Sequence, residues 1–328
     1  MSDLAVRRSV PDPVGVAARL RSEMADRVGA AVGLASTSPD EVHVGWFAAL
    51  DASGCPARYR GRGETGWSFP GWSPGLAGGP IARAALDHHM TMQPSGRLPG
   101  EPPAPLPTVR AWMRSVRRAP DSSVGEWVAE RARDGDAATL AAAAAAAARW
   151  LAGFLRVVGW PLPPRLALAV ERPARWRPSR SSPVAVASGA DAHLGRVTMA
   201  GRFAVLVHRV TSGDDGGALD RAAFEATATA LGGGIAPGEV IVSAGDTGER
   251  LRFEVDDALL ARGADLTELV VRERARAVDE TDPDHGATPS AACRWCERLD
   301  ECGPGRSWRA TAQRWRGGLP LLPGVPGD

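Results

Sequence analysis

Four cysteines are the residues best equipped for chemistry in this 328-residue chain. Cys293-Arg-Trp-Cys296 is followed, five residues on, by Cys302, and Cys55 stands alone far upstream. Four thiolates meet the donor count of a tetrahedral zinc site and of a 4Fe–4S cluster alike. Structural zinc usually takes its ligands as two short knuckles, whereas a three-plus-one split is common for clusters. A 4Fe–4S cluster on Cys55, Cys293, Cys296 and Cys302 is therefore the first expectation, and structural zinc the second.

An absence is nearly as informative. All 39 basic residues are Arg; the chain contains no Lys and no Asn. Schiff-base chemistry, a lysine general base and a P-loop lysine are closed. The net charge of +1 produces no global field that marks a nucleic-acid or membrane protein. The opening MSDLAVRRSVPDPVG lacks the apolar core of a signal peptide. The longest apolar stretch, 137–155, is mostly Ala and contains Arg149, a poor membrane span. A cytoplasmic protein without membrane association is expected, and reduced thiols there favour metal over disulfide.

The elements that must position these groups follow from periodicity. Val14, Val16, Leu20, Met24, Val28 and Val32 mark a helix over 14–33. An apolar run, 43–50, leads to Cys55; a helix is expected around 80–92, and 94–107 is a Pro-rich connector. Arg110, Arg114, Arg117 and Arg118 share a face of a short helix. Asp136 caps a long Ala-rich helix ending near Gly159. Strands are then expected over 166–171, 183–194, 203–210, 239–243 and 251–255, with helices over 219–231 and 256–279. This is a mixed α/β core with helices packed on it.

The cysteine layout, with Cys55-Pro-Ala-Arg-Tyr59 near one end and Cys293-x2-Cys296-x5-Cys302 near the other, resembles the iron–sulfur branch of the PD-(D/E)XK nuclease superfamily. That branch includes RecB/AddB-type recombination nucleases and CRISPR-adaptation exonucleases. The resemblance implies a fold class: α/β, with a mixed central sheet of the nuclease type, helical N-terminal additions and a C-terminal Cys-rich cluster-binding segment. It implies a division into 1–108 (helical, carrying the first cluster Cys), 109–160 (helical insertion), 161–285 (nuclease-like core) and 286–328 (closing segment and basic tail), all in one compact domain.

Such nucleases hold a divalent metal on an acid at the end of one strand and on (D/E)-x-K in the next, where spacing by two puts both side chains on one face. Asp191 stands where the first acid belongs. The next strand, Val207-His208-Arg209-Val210, departs from the pattern: one register offers Val207 and Arg209, the other His208 and Val210. Valine cannot ligate magnesium and histidine suits so hard a cation poorly. Asp191 and Arg209 are the catalytic candidates, and Asp191, Val207 and Arg209 must lie together if the core is nuclease-like. Asp87-His88-His89 occupies the place of an upstream His or Glu motif, and Glu225 is the central carboxylate of the following helix. A rebuilt transition-metal site on Asp191, His193 and His208 is the alternative that these residues offer.

Hydrolysis is thus expected to be eroded, leaving a DNA-binding or partner-binding component in DNA processing, repair or defence. The rivals are an active metal-dependent deoxyribonuclease with relocated carboxylates, a zinc-stapled scaffold, and a redox sensor. The candidate nucleic-acid contacts are Arg175, Trp176, Arg177 and Arg180 in one loop and Arg309 and Trp315 in the tail, since Arg forks onto phosphate and Trp stacks on an unpaired base. Expected partners are single-stranded or frayed DNA and a protein such as a helicase. Trp295, between two thiols, is expected to shield the cluster.

Overall fold

The computed structural model describes residues 10–33, 42–64, 72–92, 101–120, 122–163, 166–168, 175–195, 203–209, 215–279, 284–290, 293, 296 and 298–318. Within them the order is α1 (Pro13–Val32), β1 (Val42–Val44), α2 (Trp46–Gly54), α3 (Pro56–Glu64), α4 (Pro74–Thr91), α5 (Pro105–Val116), α6 (Ser123–Arg133), α7 (Ala137–Val158), β2 (Leu166–Leu168), β3 (Arg175–Trp176), β4 (Val184–Ala187), β5 (Ala192–Gly195), β6 (Phe203–Arg209), α8 (Asp215–Gly233), β7 (Glu239–Ala244), β8 (Arg250–Glu254), α9 (Asp257–Asp279) and α10 (Gly303–Gly318). The chain is a mixed α/β protein.

Five strands form one mixed sheet in the order β2-β5-β6-β7-β8. β6 and β7 are parallel, joined by the crossover helix α8, and the other neighbours are antiparallel. Phe203 to His208 and all of β7 are buried, as the centre of a sheet covered on both faces requires. One face, with Ala204, Leu206 and Ile241, packs on Ile81, Leu86, Trp112, Leu151 and Phe154 of α4, α5 and α7. The other, with Phe203, Val205, Val207 and Val240, packs on Phe224, Leu231, Val270 and Met24 of α8, α9 and α1. α8 and α9 approach closely where Gly263 has no side chain: a Cβ there would lie 2.2 Å from the Ala223 carbonyl oxygen.

A second sheet, β1-β4-β3, ties the N-terminal region to the core, with β1 parallel to β4 in the register Val42↔Val184. The expected strand over 183–194 is therefore two strands. The turn Ser188–Asp191 takes the chain out of one sheet and into the other, because a Ser-Gly pair interrupts the apolar run. The helix expected around 80–92 begins earlier: Ser73 accepts from the Leu76 N–H as its cap, and Pro80 sits inside it. α6 is an element that the sequence reading passed over.

α7 meets its expectation at both ends. Asp136 Oδ1 accepts from the Thr139 N–H at 3.1 Å, and Gly159 terminates it at φ 87°. The cap lowers the Asp136 carboxyl below its usual range. Although α7 is long and apolar enough to cross a membrane by length and composition, Leu140, Trp150, Leu151, Phe154 and Val158 are spent on packing inside the protein.

Candidate functional site

The turn that exchanges β4 for β5 is the floor of a cleft of about 1290 Å³. α2 turns one face to it, with Phe47, Leu50, Asp51 and Gly54 at i, i+3, i+4 and i+7. Trp72, just ahead of α4, lines it too, with Gly75, Leu76, Gly79 and Arg83 of α4 on helical periodicity. The floor holds Ser188, Gly189, Asp191 and His208, and the four cysteines line one end. The thiol group and the strand ends thus open onto one space.

Asp191 uses both carboxylate oxygens internally. Oδ1 pairs with Arg83 Nη1 from α4, and Oδ2 accepts the His208 backbone N–H at 2.7 Å. The Asp191 N–H in turn donates to the Leu206 carbonyl at 2.9 Å, which sets Asp191 opposite Val207. A guanidinium therefore stands against the carboxylate where the resemblance implies a divalent metal. Arg83 also lies over the Trp150 indole, 5.9 Å from its centroid.

A second arginine mirrors this arrangement. Arg221 of α8 lies 5.1 Å over the Trp46 ring, donates to the Gly189 carbonyl at 3.0 Å and pairs with Glu225 one turn along. Glu225 is fully buried and accepts from Ser188 Oγ at 2.6 Å and from the Gly189 N–H at 2.8 Å. It holds the turn that presents Asp191 and is not itself part of the cleft lining.

His208 sits beneath. Its Nδ1 is 3.0 Å from Ser243 Oγ, and its ring meets Trp150 and Phe154 edge-on. Nε2 is buried where Gly153 and Gly245 meet. Burial pushes the imidazole down to about 4, against the opposing pull of the Asp191 charge. The ring fits only because Gly153 and Gly245 meet there: a Cβ on Gly153 would lie 2.8 Å from the Gly245 Cα and 3.0 Å from Nε2.

At the other end, Cys55 joins α2 to α3, and its carbonyl accepts the first helical N–H of α3 from Tyr59. The Cys293, Cys296 and Cys302 N–H groups donate to the carbonyls of Ser290, Cys293 and Arg298, and Cys302 directly precedes α10. No cysteine is in a disulfide. Cys293 Sγ accepts the Ser290 N–H at 3.3 Å and Cys302 Sγ the Gly305 N–H at 3.2 Å. Burial pushes the Cys302 thiol up, the Gly305 N–H opposes this, and the charges of Asp284, Cys55 and Cys293 add to the rise. A Cβ on Gly305 would press on Cys302 Sγ at 3.2 Å, so that glycine keeps the sulfur's flank open. In donor type this set suits a thiolate-bound metal or cluster. Among the described residues no three His, Cys, Asp or Glu side chains stand as a closed metal-binding group.

The segment carrying these thiols is anchored by arginines. Arg60 of α3 pairs with Glu273 of α9, both buried, and also donates to the His285 carbonyl. Arg298 donates to the Ala57 carbonyl at 2.9 Å.

Several sequence expectations are redirected. Arg209 is near Asp191 in register but does not line the cleft; His208, on the opposite face of β6, does. His193 meets Phe203 edge-on and is pushed down by burial. It does not line the cleft, so it does not join Asp191 and His208 there as a metal site. His88 and His89 are half-buried outside the cleft. Trp176 is no stacking platform: it is buried against the β4 core, and Arg177 donates to the Ser182 carbonyl at 2.9 Å. Arg175, Arg180 and Arg309 are exposed away from the cleft, as are Arg110, Arg114, Arg117 and Arg118. Trp295 and the Trp315 side chain lie outside the described residues. Arg58, Arg83, Trp150 and Arg221 were missed; the Arg221–Glu225 spacing of four was the available signal. Compared with protein-family models, curated proteins and solved structures, the chain matches none.

Proposed function

We propose that this chain is an iron–sulfur protein on a PD-(D/E)XK-like core that has exchanged its catalytic metal for an arginine and binds nucleic acid in the cleft without cutting it. The single observation behind this is the Asp191 carboxylate, whose oxygens are taken by Arg83 and by the His208 N–H. Each oxygen already serves an internal partner, the Arg83 charge repels a cation beside it, and Val207 offers no second ligand. Hydrolysis of a phosphodiester needs the metal to activate water and clamp the phosphate. Without it, arginines and indoles along a cleft serve binding.

Cys55, Cys293, Cys296 and Cys302 would hold the 4Fe–4S cluster, which when bound supplies a covalent staple between the α2–α3 junction and the segment before α10. The chain's own share is the Ser290 and Gly305 N–H groups on two sulfurs, and Arg60 and Arg298, which carry that segment to α3.

The test is anaerobic purification, a visible spectrum and metal analysis, followed by nucleic-acid binding and cleavage assays. The expected result is a broad absorbance near roughly 400 nm with about four irons per chain, lost in Cys293→Ser. DNA binding without cleavage in magnesium or manganese is expected beside it. One zinc and no colour would replace the cluster by a structural zinc, and cleavage abolished by Asp191→Ala would restore an active nuclease.

A further inference from the structure

Another cavity, of about 460 Å³, opens where the end of α6 meets the starts of α4 and α7. Gly135, at φ 73°, turns the chain between α6 and α7, and the Asp136 N–H donates to the Arg131 carbonyl at 3.0 Å. The last turn of α6 and the first of α7 are thereby held side by side. Trp127, Glu130 and Arg131 share a face of α6, at i, i+3 and i+4. Asp136 and Thr139 come from the start of α7, and Trp72 stands just ahead of α4.

Both indoles are half-buried, packed on the helical core on one side and lining the cavity on the other. Elsewhere this chain covers its indoles with guanidinium groups, Arg83 over Trp150 and Arg221 over Trp46. Among the described residues no guanidinium lies over Trp127. Its neighbour Arg131 is drawn instead to Asp134, at 3.4 Å, and stands 3.7 Å from Glu130, beyond hydrogen-bond reach. Asp136 Oδ1 accepts the Thr139 N–H, and this cap holds its carboxyl below the usual range, so it stays charged. The Glu130 side chain is 53% exposed and keeps its water.

We infer that this cavity binds a small organic cation bearing a methylated ammonium group, its head against the Trp72 and Trp127 indoles and its charge facing Glu130 and Asp136. The face of an indole is the negative part of its quadrupole and attracts a cation that sheds water readily. Methyl groups around the nitrogen supply both the weak hydration and the apolar contact. An anion is opposed by two carboxylates, while the one arginine of the lining already answers Asp134. A neutral apolar ligand would strip water from those carboxylates with nothing in exchange. A bare metal ion gains little from indole walls and wants oxygen ligands packed around it, whereas one Asp136 oxygen is already on a backbone N–H. The volume lies within the roughly 300–1,000 Å³ of small-molecule sites.

The experiment uses the full chain as purified, with three probes: choline, its uncharged isostere 3,3-dimethylbutan-1-ol, and ethanolamine, which carries the charge without the methyl groups. Calorimetry gives the affinities, and the indole N–H signals of ¹⁵N-labelled protein report the place. The Trp127 signal is identified by its loss in Trp127→Phe; Trp127 is the better reporter because Trp72 also lines the larger cleft. Choline is expected to bind about tenfold or more tightly than either other probe and to move the Trp127 signal. In the double variant E130Q/D136N the cap survives, since Asn caps a helix as well as Asp does, so the melting temperature should hold. Its choline affinity should fall about tenfold or more while that of the uncharged isostere stays. The inference is overturned if the isostere or ethanolamine binds as tightly as choline, if binding leaves the Trp127 signal in place, or if E130Q/D136N keeps full choline affinity. No heat and no shift up to about 10 mM choline would overturn it as well.

Discussion

Arg83 and Asp191, one on a helix and the other just ahead of a strand 108 positions later, form an ion pair at the floor of the cleft. Both side chains are mostly shielded from water, so the pair is structural as well as electrostatic. Asp191→Asn leaves the guanidinium without its counter-charge in a low-dielectric setting, and a loss of roughly 3 kcal/mol is expected. Urea unfolding of the variant measures it. Millimolar magnesium or manganese should leave the wild-type melting temperature where it is, since a ligand that binds only the folded state would raise it.

Gly153→Ala should be among the costliest single-methyl changes in the molecule. The new Cβ meets the Gly245 Cα at 2.8 Å, and backbone cannot swing aside as a side-chain tip can. Overpacking of this kind costs about 1–3 kcal/mol. Gly245→Ala, whose Cβ would sit 2.9 Å from the Gly153 Cα, should behave alike. A melting temperature equal to wild type in both would show that α7 and the β7–β8 turn are not in contact.

Acid should destabilise the fold through His208. Its folded pKa is pushed down to about 4 while an unfolded histidine titrates near 6.5, so between those values the unfolded chain binds a proton that the folded one refuses. The contribution is present in full above about pH 6.5 and is lost as pH falls toward 4, amounting to roughly 3 kcal/mol. His193, lowered in the same direction, adds to it. Urea midpoints at pH 7, 5.5 and 4.5 should fall in the wild type and fall less in His208→Gln.

Removing one half of the Arg60–Glu273 pair should release the thiol-bearing segment. Both groups are buried, and Arg60 also bonds the His285 carbonyl. Glu273→Gln is expected to cost about 3–5 kcal/mol. Arg60→Ala should in addition open the chain after residue 285 to protease before the rest of the fold yields. Simultaneous loss of both regions in limited proteolysis would contradict that order.

Legibility in the sequence followed the range of the interaction concerned. The Ala-rich helix, its Asp136 cap and its Gly159 end are local, and so were readable. So was β6, a continuous apolar run. The break at Ser188–Asp191 was not, because the strands on either side of it differ only in which sheet they join. Trp176 lies between arginines in a proline-rich stretch and read as a surface aromatic. Pairing of β3 with β4 decides otherwise, since alternation turns Trp176 inward while Arg175 stays exposed. Asp191 was found because a strand-end acid has a recognisable place. Its partner was not, because nothing near Asp191 in the chain announces an arginine on α4.

The β1–β4 pairing has a consequence for how the molecule comes into being. Val42 cannot take its place until Val184 exists beside it, Arg60 waits 213 positions for Glu273, and Ala57 waits 241 for Arg298. Contacts so distant in sequence are made slowly, because the intervening chain must be gathered first. During synthesis α1 therefore emerges with its apolar face uncovered until α8 and α9, on which it packs, leave the ribosome, whereas α4 to α7 can pack on one another sooner. α1 should therefore need chaperone cover for most of synthesis, and slowing translation near residue 184 should do more for yield than slowing it near the start.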